Sequence, residues 1–230
     1  MNIKQKYLIF SLPLGYLSFT FSSLSFTLFT YYFLLDTLHF ILTFAPITLS
    51  KTTEMTLQWQ NILDTEDLYF SQIWQIYQEA FPVTEKRNLQ QQKRILKNQN
   101  YNLSAIFSSG TIAGLIGWWD FPNLRFIEHI AIAQKFRGGG LGSQFLNEFI
   151  EQNNKPILLE VEKPKDEISV RRIEFYKRLG FHLNIVDYLQ PPYQKEQEPL
   201  PLFVMTYPKA SSQQQIDVFV ENHHQEIYFD

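Results

Sequence analysis

The chain of 230 residues contains no cysteine. That absence excludes disulfide frameworks, thiolate zinc sites and cysteine nucleophiles. At this length a hydrophobic core can stabilise the fold without a disulfide or a metal, and we expect no metal. An excess of basic residues is also missing, since 20 Lys and Arg stand against 23 Asp and Glu. The sequence therefore has no electrostatic footprint for nucleic acid, and we expect no such partner.

Charge is nearly absent from the first part of the chain. Asp36 is the only charged residue from Tyr7 to Leu49. The uncharged stretch 7–35 exceeds the roughly 20 residues that cross a bilayer, which indicates a membrane anchor or an uncleaved signal-like segment. Its eight Ser and Thr residues argue against a span. A translation start at Met55 is the other interpretation, because Phe, Leu, Ser and Tyr are what T-rich non-coding DNA encodes. Residues 1–54 are therefore treated as a separate apolar N-terminal extension.

From Met55 onward, strand-like alternation and helical stripes follow one another. Strands are predicted over residues 56–62, 102–107, 111–119, 125–133, 155–162, 181–187 and 202–207. Helices are predicted over residues 66–80, 84–98, 141–153 and 168–179, the last ended by Gly180 as a C-cap. This order predicts an α/β (α+β) domain over residues 55–208, with a mixed central sheet of about six to seven strands flanked by helices. Residues 209–230 are predicted to be a polar C-terminal tail.

Glycines cluster in the run Arg137-Gly-Gly-Gly-Leu-Gly142, between a predicted strand and a predicted helix. This arrangement is typical of a phosphate cradle, because bare backbone N–H groups and the helix dipole face the anion. A Walker loop is excluded, since no lysine follows the last glycine. A dinucleotide fingerprint fits Gly138 and Gly140 but finds Ser143 at its third position, with Glu160 as the acid about 20 residues on. A plain glycine-rich turn is the remaining alternative.

A second motif accompanies the glycines. Arg137-Gly-Gly-Gly-Leu-Gly142 matches the pattern Arg/Gln-x-x-Gly-x-Gly/Ala, and Phe175-Tyr-Lys-Arg-Leu-Gly-Phe181 follows after one strand. With both motifs, the sequence from Thr56 to Tyr207 resembles the GNAT superfamily of acyl-CoA-dependent N-acyltransferases. It departs from the family in having Ser169 and Arg172 where Asn and Ala often precede the Phe-Tyr pair. It is similar to a bacterial branch whose acceptors are poorly defined.

The resemblance implies a GNAT fold and an N-acetyltransferase that moves an acetyl group directly from acetyl-CoA to a primary amine of a small molecule or peptide. It implies that the backbone at Ile130 and Ile132 binds pantetheine and polarises the acyl carbonyl. The loop would cradle the pyrophosphate by the main chain of Arg137, Gly138, Gly139, Gly140, Leu141 and Gly142, and Ser143 would add its hydroxyl. We expect a cytoplasmic monomer or homodimer, with any membrane contact through residues 7–49. The alternative is a non-catalytic GNAT-like module that senses acyl-CoA.

Tyr176 and Glu128 are the candidate catalytic residues. Tyr176 stands where the family's general acid protonates the coenzyme thiolate, and a phenol with a pKa near 10 stays protonated at neutral pH. Its alternative role is a core aromatic. In GNAT relatives an acidic residue at the position of Glu128 often acts as the base. Its alternative is a solvated or ion-paired strand residue.

The orientation of the candidate base is predicted from the alternation of its strand. Glu128 should face the same side as Ile130 and Ile132, with His129 on the opposite face as a core or edge histidine. Glu160, near the end of the next strand, is the second candidate base, and its alternative role is to pair with a nearby arginine. The choice between the two glutamates stays open at this point.

Other motifs predict no chemistry. No Gly-x-Ser-x-Gly elbow is present for a hydrolase. His223 and His224 are adjacent, so their side chains diverge on a regular element, and we expect an exposed tail rather than a metal site. The segment Pro191-Pro-Tyr193 is predicted to be a rigid loop beside the acceptor cleft.

Overall fold

The computed structural model of the chain describes residues 57–229. Our interpretations of the N-terminal extension, including the start at Met55, lie outside these residues. Within them, eight strands run over Leu57–Asn61 (β1), Tyr101–Ser108 (β2), Thr111–Asp120 (β3), Arg125–Ile132 (β4), Ile157–Glu162 (β5), His182–Asn184 (β6), Leu189–Gln190 (β7) and Leu200–Tyr207 (β8). The same residues form α-helices over Phe70–Ala80 (α1), Leu89–Ile95 (α2), Leu141–Glu151 (α3), Glu167–Arg178 (α4) and Gln213–His224 (α5).

The strands form one mixed sheet in the order β1-β2-β3-β4-β5-β8-β6, with β7 paired to β8. The β4–β5 pair is parallel, and the other pairs are antiparallel. The predicted mixed α/β architecture is confirmed. The additional strand is β7, whose two residues are too few to show any alternation in the sequence.

Hydrophobic clusters cover both faces of the sheet. One cluster holds the stripe Phe70, Ile73 and Tyr77 of α1 together with residues of α2 and α5. The other cluster is built on α3 and α4. Asp166 is the N-cap of helix α4, and its carboxylate accepts the Ser169 backbone N–H. The helix ends before Gly180, which has a φ of +87° as the predicted C-cap requires.

The first two helices are shorter than predicted. Helix α1 starts at Phe70, because the Asp64 and Asp67 carboxylates accept nearby backbone N–H groups and hold the preceding chain in turns. Helix α2 starts after Asn88, which forms a capping box with Gln91. None of the helices in residues 57–229 combines the length and apolar character needed to cross a membrane.

Strands β4 and β5 diverge after a short parallel contact. Their pairing runs from Arg125–Ile157 to Ile127–Leu159 and then stops. Beyond that point β4 continues beside β3, while β5 continues beside β8. The two strands therefore form a fork, and a cleft opens between their carboxyl ends.

An extra residue interrupts β4 at the fork. His129 lies opposite Gly117 of β3, and Ile127 lies opposite Trp118, so Glu128 has no partner across the β3–β4 pair. This arrangement is a β-bulge, which bends the strand and shifts its side-chain alternation. The consequences for Glu128 and His129 are described with the site.

The C-terminal segment is part of the core, and the prediction of a polar tail over residues 209–230 is wrong. Helix α5 is capped by Ser212, and a π-helical turn at Gln225–Phe229 follows it. Ile216, Phe219 and Ile227 are at most 3% exposed. Their apolar side chains are sparse among polar residues, which is why the stripe was missed.

The core role of this segment can be tested with two neighbouring residues. Phe219→Ala is expected to lower the free energy of unfolding by about 3–5 kcal/mol, because it removes a buried aromatic ring. Val218→Ala, at a side chain that is 49% exposed on the same helix, should cost less than about 0.5 kcal/mol. Urea titration of both variants gives the comparison. If both variants lost the same small amount of unfolding free energy, α5 would not belong to the core.

Candidate active site

The cleft at the fork has a volume of about 690 Å³. Its walls are the end of β4, the glycine loop, the start of α3, the end of β5 and one face of α4. Basic side chains in its lining come from the loop and α4, and are Arg137, Arg171, Arg172 and Arg178. Acidic side chains come from the strands and the turn before α2, and include Glu85, Glu160 and Glu162. The cleft thus offers groups for an anion and for a cation.

The glycine loop has a left-handed backbone conformation at two positions and open space above it. Gly138 and Gly140 have φ values of +85° and +79°, and a Cβ atom added at either would meet nothing within 4 Å. Glycine is therefore required by the backbone, and the space above the loop is open. Arg137 Nε donates to the Ile132 carbonyl at 2.8 Å and fastens the loop to β4. No side chain caps α3, so its first backbone N–H groups remain available to a ligand.

The predicted coenzyme residues of β4 lie along one wall of the cleft. Ile130 and Ile132 both line it, and their side chains pack against the cluster of α3 and α4. Past Ile127 this edge of β4 has no pairing with β5. Apart from the Ile132 carbonyl, which accepts from Arg137 Nε, the backbone groups along this edge have no partner strand and can bind an extended ligand, as β-strand edges do.

Glu128 belongs to the lining of the cleft, but its carboxylate is buried on the other face of β4, contrary to the predicted alternation. Its side chain is 0% exposed and forms an ion pair with Arg87 at 2.5 Å. The Tyr193 hydroxyl donates to it at 2.7 Å and Trp119 Nε1 donates at 2.9 Å. Because of the bulge, Glu128 does not share the face of Ile130 and Ile132. Burial is the largest single influence and raises the pKa of Glu128. The Arg87 charge, with smaller contributions from His129 and the two hydrogen bonds, outweighs burial and holds that pKa below its usual value.

His129 is a core histidine, as expected, but it lies on the same face as Glu128. Its ring makes edge contacts with Tyr77 and Phe81, and its Nε2 lies 2.9 Å from the Glu85 carbonyl oxygen. Burial lowers the pKa of His129, so the ring is neutral. The prediction that the two neighbours occupy opposite faces is wrong, because Glu128 is the extra residue of the bulge and the alternation of side chains is interrupted at that point.

Glu160 is the first residue of β5 past the fork, and it lines the cleft. The Tyr188 and Tyr228 hydroxyls donate to its Oε1, the latter at 2.8 Å, and Gln190 Nε2 donates to its Oε2 at 2.7 Å. No cation pairs with it among the described residues. Burial raises the pKa of Glu160 to about 7, although the three donors act in the opposite direction.

Tyr176 lies in α4 and is 6% exposed, with its ring against Phe175 and Phe181. It lines the cleft. Its hydroxyl makes no hydrogen bond to any other residue in the range 57–229. Burial raises the pKa of Tyr176 to about 12, so the phenol is protonated at neutral pH. It is an available proton donor.

Sequence reasoning missed several residues of this site. Arg87 lies in the run predicted as a helix over residues 84–98, and nothing in that run distinguishes it from its charged neighbours. Tyr228 and His224 stood in the supposed tail, and Tyr188 in an irregular segment. His224 is bonded to Tyr188 and His223 stacks on Phe121, and no group of three or more potential metal ligands occurs within residues 57–229.

Comparison with known proteins identifies the family. The model of the acetyltransferase (GNAT) family matches residues 67–181. A GNAT-family acetyltransferase structure from Bacteroides thetaiotaomicron is 32% identical, with a TM-score of 0.70, covering 74% of this chain and 98% of that chain. The chain belongs to the GNAT family. Members of this family are acetyltransferases, and the GNAT fold binds acetyl-CoA.

More distant structures share lower similarity with this GNAT chain. Arabidopsis thaliana Naa50, in complex with a bisubstrate analogue, is 20% identical with a TM-score of 0.49 and covers 67% of this chain and 99% of its own. The ribosomal-protein-S18-alanine N-acetyltransferase of Escherichia coli is 16% identical with a TM-score of 0.48, and the match covers 68% of this chain and 96% of that chain. No curated protein matches the chain.

The buried ion pair predicts that replacing Glu128 lowers the stability of the fold and does not act on catalysis alone. Glu128→Gln is expected to lower the free energy of unfolding at pH 7 by about 3–5 kcal/mol, because Arg87 stays buried without its counter-charge. Glu162→Gln is the matched control. It breaks surface bridges to Lys165 and Arg172 and should cost less than about 1 kcal/mol.

The difference in unfolding free energy between wild type and Glu128→Gln should depend on pH with a definite sign. The pKa of Glu128 is lower in the folded state, so its stabilisation is present above the unfolded value of about 4.3 and is lost as pH falls through the folded pKa. Denaturant titrations of wild type and Glu128→Gln should converge in acid. Equal losses for Glu128→Gln and Glu162→Gln at pH 7 would contradict a buried pair.

Proposed function

We propose that the protein is an N-acetyltransferase that moves an acetyl group from acetyl-CoA directly to a primary amine of a small molecule or peptide. The observation that carries this proposal is Glu160, a carboxyl with a pKa of about 7 and no counter-ion, at the fork of the cleft. A base with that pKa is suited to neutral pH. The family membership supplies the acetyl donor.

The glycine loop would hold the coenzyme. The open space above Gly138 and Gly140 and the uncapped start of α3 fit a pyrophosphate, whose negative charge the helix dipole stabilises. The main chain of residues 137–143 would donate to it, and the free edge at Ile130 and Ile132 would bind the pantetheine arm. When bound, the coenzyme supplies an activated acetyl thioester.

Glu160 would act as the base, in place of Glu128. A primary ammonium with a pKa of about 10.4 must lose a proton before it attacks the thioester. A carboxylate offers about four lone-pair directions, and Glu160 uses three of them for Tyr188, Tyr228 and Gln190. The remaining one on Oε2 can accept the amine proton. Glu128 also has three donors, but one of them is the Arg87 cation, which holds the carboxylate in an ion pair and makes it a weaker base than Glu160.

Tyr176 would act as the acid. Its unpartnered hydroxyl borders the cleft, and a phenol can donate its proton to the departing thiolate. A sensor of acyl-CoA needs neither an unpaired carboxyl nor a free phenol, so these two groups favour the enzyme over that alternative.

The catalytic unit would extend from Leu57 to at least Phe229, because Tyr228 contacts Glu160 from the C-terminal segment. The proposed protein is a monomer or homodimer that works in the cytoplasm, where acetyl-CoA is available. Any membrane attachment would use residues 7–49.

The phosphate cradle can be tested at one glycine. Gly140→Asp puts a carboxylate where the pyrophosphate must approach, so acetyl-CoA should bind at least about tenfold more weakly. Gly110→Asp, in the β2–β3 turn, is the matched control, since Gly110 also has a positive φ and open surroundings. Calorimetry should show normal binding in that variant. Normal binding by a folded Gly140→Asp protein would rule out the cradle.

Replacing the base and replacing the acid should change the pH profile of the rate in different ways. For wild type, kcat/KM is expected to rise with pH to a plateau above about pH 7, as Glu160 loses its proton. Glu160→Gln should remove that rise and lower the plateau by about 10²–10⁴-fold. Tyr176→Phe should lower kcat but keep the rise and the affinity for acetyl-CoA. A folded Glu160→Gln protein with the wild-type profile would exclude Glu160 as the base.

A further inference from the structure

We propose that Tyr188 and His224 form a relay that carries the substrate proton from Glu160 to solvent. The inference rests on the proposed function, in which Glu160 takes a proton from the amine. Both relay residues lie after residue 181, where the match to the family model ends.

A continuous chain of contacts leads away from Glu160. The Tyr188 hydroxyl bonds to Glu160 Oε1 on one side and lies 2.9 Å from His224 Nε2 on the other. Tyr188 is 5% exposed, so it lies within the core. His224 is 8% exposed and lies in the last turn of α5. Its Nδ1 makes no hydrogen bond to another described residue and is not among the fully buried unpaired atoms, so it keeps contact with solvent.

The reaction creates the need for such a path. A protonated amine and a thioester yield an amide, a thiol and one free proton. The nitrogen loses two protons as its bond to the acyl carbon forms, and the thiolate released when the C–S bond breaks takes up one of them. The other must leave Glu160 before the next turnover. With coenzyme and acceptor in the cleft, direct access of water to Glu160 is reduced.

The chain can move that proton without accumulating a charge. A turn of the Glu160 carboxyl about its Cγ–Cδ bond brings the protonated oxygen from the substrate side to Tyr188. Protonated Glu160 then donates to the Tyr188 oxygen, Tyr188 donates its own proton to His224 Nε2, and His224 releases the proton on Nδ1 to water. The hydroxyl of Tyr188 rotates to do so. Proton exchange with water returns His224 to its first tautomer. Burial lowers the pKa of His224 to about 4, which keeps the imidazole neutral and able to accept at one nitrogen and donate at the other.

The surrounding groups leave no other outlet of this kind among the described residues. Facing Glu160 are Glu128 from β4, Gln190 from β7 and Tyr228 from the π-helical turn. Glu128 is held by Arg87, and Gln190 has no proton to exchange near neutral pH. Tyr228 donates to the same Oε1 as Tyr188 but makes no hydrogen bond to His224. His223 stacks on Phe121 and is outside the chain of contacts.

Two pairs of variants in the full chain test the relay. His224→Gln and Tyr188→Phe each interrupt it, while His223→Gln and Tyr228→Phe are the neighbouring controls. In weakly buffered solution, kcat of the first two is expected to fall by about tenfold or more. Added imidazole should restore much of the loss in His224→Gln, because a free base can replace the missing ring. Tyr188→Phe and Tyr228→Phe should both raise the apparent pKa of Glu160 in the pH profile of the rate, since each removes a hydrogen-bond donor to Glu160.

The outcomes distinguish the relay from a structural role. Imidazole rescue confined to His224→Gln, with His223→Gln at the wild-type rate, supports the relay. Equal kcat for His224→Gln and His223→Gln, or a loss that imidazole does not restore, overturns it. So does an identical loss of kcat in Tyr188→Phe and Tyr228→Phe. If wild type releases no thiol from acetyl-CoA with any of the amines tested, the proposed function itself is overturned, whatever the variants show.

Discussion

The buried ion pair between Arg87 and Glu128 is the contact on which the shape of the cleft depends. Arg87 lies just before α2, and Glu128 forms the bulge where β4 leaves β5. The guanidinium also donates to the Ile227 carbonyl at 2.5 Å and lies over the ring of Tyr193. The pair thus joins the bulge to the C-terminal segment and to the loop before β8. Removing either charge would leave the other buried without compensation.

The same pair explains why two glutamates on neighbouring strands have different chemistry. The Arg87 charge, together with the other groups that contact Glu128, keeps the pKa of Glu128 below its usual value in spite of burial. Glu160 has only neutral donors, and burial raises its pKa to about 7. The nearby charge of Glu128 acts on Glu160 in the same upward direction as burial does. One carboxylate therefore serves the structure, and the other is left in a state suited to proton transfer near neutral pH.

Local patterns predicted the parts of this molecule that depend on local physics. The strand periods, the Gly180 cap and the glycine loop are properties of a few consecutive residues, and the structure has each of them. The orientation of Glu128 was wrong, because a bulge depends on pairing with β3 and leaves no mark in the β4 sequence. Arg87 and Tyr228 reach the site only through long-range packing. Short sequence windows carry no information about such contacts.

The state of the Glu160 carboxyl is the most direct test of this account. Infrared titration of the full chain, with Glu160→Gln as the reference, measures the protonated carboxyl band as a function of pH. The account predicts a band that titrates near pH 7 in wild type and is missing from the variant. If all carboxyl bands of wild type disappear below about pH 5, Glu160 has an ordinary pKa and cannot be the uncompensated base.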